Sequence, residues 1–224
     1  MKITYLGTGA ADWNITLHKE EEGFRRNSSA LIDDCLLIDP GPNVMDALET
    51  FGKDVSKIKY IINTHKHSDH YNEETLSNLP LAQFFEFEAD EEKQIGDYNI
   101  KSYKANHSTC KDAVHFIIND GEKKIFYGLD GAWLMYDEVA AIKEHGIDYA
   151  VLDATIGDIP GDYRIFEHNN LNMIKEIKDS LKEYVKRFCI SHMARTLHKS
   201  HNELTADMRE FDIEVAFDGM ETKI

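Results

Sequence analysis

Cysteine is scarce in this 224-residue chain: Cys35, Cys110 and Cys189 are the only three, and no Cys-x-x-Cys pair occurs. That excludes a disulfide framework and a thiolate-built structural metal site, and it reads as a cytoplasmic protein with reduced thiols. Long apolar runs are absent too, so no membrane span is expected. The first residues, "MKITYLGTGAADWN", pass straight into a strand-like segment and lack the features of a secretory signal. Positive charge is also short, with 25 Lys and Arg against 41 Asp and Glu, a formal net charge of −16. Nucleic acid and anionic membranes are therefore poor partners, because binding them requires a basic face. A small anionic substrate stays possible, since a bound metal reverses the local field.

No low-complexity linker or fixed-period repeat interrupts the chain. "SSALIDDCLLIDPGP" reads as two strands around Asp33-Asp34, and Pro42 opens a helix closed by Gly52. "IKYIIN" is a short apolar strand. "VHFIINDGEKKIFYGLD" is a hairpin turning at Asp120-Gly121. A helix over "WLMYDEVAAIKEHG" stops at Gly146, and "IDYAVLDAT" follows as a strand. Leu171, Ile174, Ile177 and Leu181 recur at helical spacing, ahead of the strand "VKRFCIS". Ser200 and Glu203 form a capping box for a last helix, and "IEVAFDGMETKI" reads as a second Asp-Gly hairpin. Hairpins and helices in this order suit an α/β fold of two packed sheets with helices outside them.

Against this background "THKHSDH" stands out, placing His65, His67, Asp69 and His70 directly after an apolar strand. Neutral imidazole suits zinc and other first-row metals, and carboxylate suits harder ions. Alternate residues of such a turn reach two neighbouring points, giving two half-sites that each lack ligands. Other strand ends offer the remainder: His107 in "ANHS", Asp130 in "GLD" and His192 in "ISHM". His198 and His201 compete with His192 but lie farther from the strand end. Cys189, between Phe188 and Ile190, reads as a packed strand residue.

These motifs in this order, from "LGTGAAD" through "LLIDPGP", "THKHSDH", "ANHS", "GLD", "LDAT" and "ISHM", resemble the metallo-β-lactamase superfamily almost from end to end. The resemblance implies one domain over residues 1–224, an αββα sandwich of two mixed sheets, and two divalent metal ions, zinc or manganese. It gives His65, His67 and His107 to one metal and Asp69, His70 and His192 to the other, with Asp130 bridging. It makes Asp39 a residue that orients the ligand loop, and it implies a homodimer. His168, just before an amphipathic helix, resembles the non-ligating histidine of the phosphodiesterase branch, which includes tRNase Z and the cyclic-phosphate phosphodiesterase of the phosphonate pathway. The activity so implied is hydrolysis of a small, cyclic or sugar-linked phosphodiester by a metal-activated hydroxide, with His168 donating a proton or hydrogen bond. A lactonase or thiolesterase on the same metals and an RNA-processing nuclease are the alternatives. No cysteine-built extra zinc site and no tRNA-binding arm is legible. Arg25, Arg26 and Arg164 are candidate phosphate contacts, and His115 has no assigned role.

Overall fold

The computed structural model describes residues 1–224. Thirteen strands follow one another as β1 (Lys2–Gly7), β2 (Ser29–Ile32), β3 (Leu36–Ile38), β4 (Tyr60–Ile62), β5 (Gln83–Phe85), β6 (Glu92–Ile95), β7 (Tyr98–Lys104), β8 (Val114–Asn119), β9 (Lys124–Gly128), β10 (Tyr149–Asp153), β11 (Phe188–Ser191), β12 (Ile213–Val215) and β13 (Glu221–Lys223). Six α-helices intervene: α1 (Ile15–His18), α2 (Val44–Thr50), α3 (Glu73–Ser77), α4 (Tyr136–His145), α5 (Leu171–Leu181) and α6 (His201–Arg209).

The strands form two sheets. One has the order β13-β1-β2-β3-β4-β5, the other β12-β11-β10-β9-β8-β7-β6. Both are mixed. β3, β4 and β5 run parallel, as do β9, β10, β11 and β12, while the remaining pairs are antiparallel.

Period-two alternation explains how the layers stack. In β10, Tyr149 and Val151 join a core shared by both sheets, with Ile3, Ile32, Phe116 and Tyr127. Its alternate residues Ala150 and Leu152 face outward into a second core with Ile142, Ile174, Leu181 and Met208 of α4, α5 and α6. The first sheet repeats the arrangement, with Leu31, Leu37 and Ile61 packed on Val44, Ala47 and Leu48 of α2. The result is helix, sheet, sheet, helix. A strand buried on both faces must be apolar along its whole length, as "YAVLD" nearly is. Helix α5 buries Leu171, Ile174, Ile177 and Leu181 against its sheet, each side chain contributing about 1.5–3 kcal/mol. Asn170 caps it by accepting a hydrogen bond from the Met173 N–H.

The C-terminal segment departs from its sequence pattern. β12 and β13 do not pair as a hairpin: β12 lies parallel to β11 in the second sheet and β13 antiparallel to β1 in the first. The Asp-Gly between them crosses from sheet to sheet. Asp218 accepts from Thr8 Oγ1 at 2.7 Å and from the Arg26 N–H at 2.6 Å, while the Gly219 N–H donates to Tyr5 O. These long-range partners outweigh the local hairpin preference. No helix is long and apolar enough to cross a membrane.

Candidate metal centre

The parallel strands dictate where the candidate residues gather. β3 and β4 share one direction, as do β9, β10 and β11. Their C-terminal ends carry Asp39, the loop 63–72, Asp130, Asp153 and His192, and His107 follows β7. Three of these residues, Asp39, Asp130 and His192, adopt left-handed backbone conformations with φ of 59°, 59° and 61°. Such backbone costs about 1–3 kcal/mol per residue and concentrates at functional sites.

The structure brings all seven candidate ligands together. His65 Nε2 lies 3.0 Å from His67 Nδ1, which lies 3.2 Å from His107 Nε2. Around the second point, His70 Nε2 lies 3.2 Å from His192 Nε2, and Asp69 Oδ2 lies 3.3 and 3.5 Å from these two nitrogens. Asp130 stands between the groups. Its Oδ2 approaches His70 Nε2 at 2.7 Å and His192 Nε2 at 3.1 Å, while Oδ1 lies 4.0 Å from His107 Nε2.

These contacts fit metal ions. Donors around a tetrahedral zinc with bonds near 2.05 Å are about 3.3 Å apart, close to the observed nitrogen separations. Facing imidazole nitrogens at this distance cannot all be satisfied by one another, because each neutral ring offers a single N–H. Asp130 Oδ2 is buried and, although close to the Nε2 atoms of His70 and His192, has no partner in hydrogen-bond geometry, which a cation would supply.

The far sides of the rings are held by the protein. His70 Nδ1 contacts Asp39 Oδ2 at 2.9 Å, His192 Nδ1 contacts Thr155 Oγ1 at 2.8 Å, and His65 Nδ1 contacts Thr64 Oγ1 at 3.0 Å. Such partners fix which nitrogen presents its lone pair. Asp39 is itself anchored, with Oδ1 accepting from the Thr64 N–H and hydroxyl and from Asn63 Nδ2. Gly41 lets this loop approach the next, since a Cβ there would sit 2.2 Å from the Asp69 carbonyl oxygen.

Charge in the site is arranged in the same sense. Burial, reinforced by neighbouring imidazoles, lowers the pKa of His65 to about 2 and holds it neutral, the form that binds metal. Burial also lowers His107. For His70 burial acts downward, but the charges of Asp130, Asp69 and Asp39 outweigh it and raise the pKa. For Asp69 and Asp130 burial acts upward, and the histidines beside them prevail, holding both carboxyls below their usual range.

His168 sits beside the cluster, its ring next to those of His107 and His192. Its Nδ1 is 2.9 Å from Asp153 Oδ2 and 3.7 Å from Asp130 Oδ1, and its ring stacks on His192. Burial would lower its pKa, but the charge and hydrogen bond of Asp153 raise it to about 9. Asp153 groups geometrically with Asp130, His168 and His192. Its oxygens already accept from the N–H groups of Asp130, Thr155 and Asn169, from Thr155 Oγ1 and from His168. It therefore serves as a hub for the ligands around it. The sequence reading assigned no role to Asp153 or Thr155, although "LDAT" at a strand end carried the signal.

The arginines and remaining histidines have other duties. Arg25 is buried, donating to Thr8 Oγ1 and Ala216 O. Arg26 binds Asp46, and Arg164 forms a two-nitrogen clasp on Asp162. None of the three is free for phosphate. His115 belongs to the interior, between Glu138 Oε1 at 2.5 Å and Leu129 O at 3.1 Å. His198 binds the carbonyls of Ala154 and Thr155, and His201 neighbours Arg25, so neither joins the cluster. Cys189 is buried in its strand.

Comparison with known proteins agrees with this architecture. Residues 23–72 match the family model of the metallo-beta-lactamase superfamily. A UPF0173 protein from Pyrococcus abyssi is 29% identical over 110 residues, covering 40% of this chain and 49% of that protein. The match thus spans about half the length of this curated relative. The short form of human tRNase Z superposes with a TM-score of 0.75 at 17% identity, covering 100% of this chain and 99% of that one. A diphosphatase from the PhnP family gives a TM-score of 0.71 at 18% identity, with 99% and 97% covered. The αββα layers are those of these solved structures, and residues 23–72, which hold Asp39 and the histidine loop, carry the similarity to the metallo-beta-lactamase superfamily.

Proposed function

We propose that the protein is a metal-dependent phosphodiesterase acting on a small phosphodiester. The observation that carries this reading is His168, an imidazole held beside the candidate ligands with Nδ1 bound to Asp153. That anchor leaves Nε2 as the donor. A protonated imidazole here complements an anionic phosphoryl group and can protonate a departing alkoxide. A neutral lactone or thioester gains less from such a charge.

His65, His67 and His107 would hold one divalent ion, and Asp69, His70 and His192 a second, with Asp130 between them. Zinc suits the imidazole-rich set, and manganese the carboxylates. Bound there, such ions lower the pKa of water and polarise a phosphoryl oxygen. The chain's contribution is orientation. Asp39, Thr64 and Thr155 aim the imidazoles, and Asp153 aims His168. The structural likeness to proteins named as a diphosphatase and a tRNase supports phosphorus–oxygen chemistry. The net charge of −16 favours a small substrate over RNA.

The test is hydrolysis of bis(p-nitrophenyl) phosphate and of a 2′,3′-cyclic nucleotide, with zinc or manganese supplied and bound metal quantified. Wild type should cleave both. His168→Ala should keep its metal and lose about 100-fold or more on the cyclic nucleotide. It should lose less on the nitrophenyl ester, whose leaving group needs little protonation. Metal-loaded wild type that cleaves neither ester but opens lactones or thioesters would overturn the reading.

A further inference from the structure

The chain has six arginines. Arg25, Arg26 and Arg164 are engaged as described. Arg187 enters β11 from the opposite edge and binds Glu214 and Lys223 O, and Arg209 lies exposed at the end of α6. Arg195 differs from all of these. It stands three residues beyond His192, and its Nε is buried without a hydrogen-bond partner. Its one side-chain contact is a long one, Nη1 to Glu21 Oε2 at 3.4 Å.

Topology puts Arg195 at the metal edge. β1 is antiparallel to β2, and β2 to β3, so β1 runs with β3. The segment after β1, residues 8–28, therefore leaves from the edge that carries Asp39 and the histidine loop. That segment is fastened to the one after β11. The Ala10 N–H and Trp13 Nε1 donate to Met193 O, and the Arg195 N–H donates to the Asp12 carboxylate at 3.0 Å. The Arg195 guanidinium thus lies between two segments that border the candidate metal centre.

A guanidinium with Nη1 weakly tied and the Nε–Nη2 side unpartnered carries the two-pronged edge that matches two oxygens of a phosphate, and because its Nε is covered, the side chain must shift from Glu21 to offer that edge. A buried donor without a partner is costly, and a ligand relieves that cost. We propose that Arg195 is a substrate-binding residue that clamps a phosphoryl group, releasing Glu21 as it does so. The identity of the anion rests on the phosphodiester reading. The clamp itself rests on the geometry of Arg195.

Calorimetric titration of the metal-loaded protein with inorganic phosphate tests it. Arg195→Met should weaken phosphate binding about tenfold or more. Arg195→Lys should restore only part of that, because an ammonium lacks the fork. Glu21→Gln, on a partly exposed side chain, should tighten binding by removing the competing carboxylate. With bis(p-nitrophenyl) phosphate, Arg195→Met should raise KM more than it lowers kcat. Unchanged phosphate affinity in Arg195→Met, or weaker binding in Glu21→Gln, would overturn the proposal. If no diester is cleaved yet phosphate binds through Arg195, the phosphodiester reading fails and the clamp stands. If diesters are cleaved and Arg195→Met binds phosphate as wild type does, the clamp alone fails.

Discussion

Asp39 Oδ2 lies 2.9 Å from His70 Nδ1, and both side chains are fully buried. The carboxylate can only accept, so it directs the His70 proton to Nδ1 and leaves Nε2 to face Asp69, Asp130 and His192. Asp39→Asn separates charge from shape, because asparagine tolerates the left-handed backbone at this position. Its amide can donate to Nδ1 and turn the tautomer over. The expected result is about 10–100-fold weaker metal binding with the fold retained, read by chelator competition.

Gly41 and Asp69 make a steric prediction. Gly41→Ala would drive a Cβ to 2.2 Å from the Asp69 carbonyl, against backbone that cannot swing aside. The variant should lose about 1–3 kcal/mol in denaturant unfolding of the metal-free protein. It should also bind metal more weakly, because Asp69 and His70 are displaced together.

The His115–Glu138 pair is entirely interior, at 1% and 0% exposure. Removing one partner leaves an uncompensated charge, so His115→Leu should cost about 3–5 kcal/mol. Glu138 also accepts from the Met135 N–H through its second oxygen. A His115→Leu/Glu138→Gln double variant keeps that cap and should recover much of the loss. Equilibrium unfolding of the two variants checks the cycle.

Protonation of His168 links stability to pH in the metal-free protein. Its folded pKa, raised to about 9, exceeds the unfolded value of about 6.5. Its stabilising contribution is therefore complete below about pH 6.5 and disappears as pH rises through 9. Melting curves of wild type and His168→Gln from pH 6 to 9.5 should converge towards the alkaline end. A difference that stays constant would show that the ring carries no extra proton when folded. Bound divalent ions oppose a nearby positive charge, so metal loading should move the convergence to lower pH.

Much of the fold was legible because it depends on local pattern. Apolar runs marked β8, β9 and β10, the first two joined by the Asp120-Gly121 turn, and the i, i+3, i+6, i+10 spacing marked the buried face of α5. The Ser200–Glu203 capping box formed as the residues suggest, with the Glu203 N–H donating to Ser200 Oγ. Gly146, at φ 64°, ends α4. Residues 83–97 were not read as strands, because "QFFEFEADEEKQIGD" is too charged to show a clean alternation. Its strands β5 and β6 lie at sheet edges, where exposed charge is tolerated.

By itself the sequence determined the chemistry of the site. It placed four side chains of metal-ligating type within six residues after a strand, and put His107, Asp130 and His192 after others. Local order also determined most strands and helices, because side-chain periodicity and capping act over a few residues. Only the tertiary structure decided which residues complete the site and which do not. His70 and His192 meet across 122 residues of chain, and His168 finds Asp153 through the parallel alignment of β9, β10 and β11. The same long-range packing drew Arg25 into the interior, left Arg195 with unpartnered donors, and sent β12 and β13 to different sheets. The energies that settle these choices, burial and desolvated hydrogen bonds, exist only once distant segments touch.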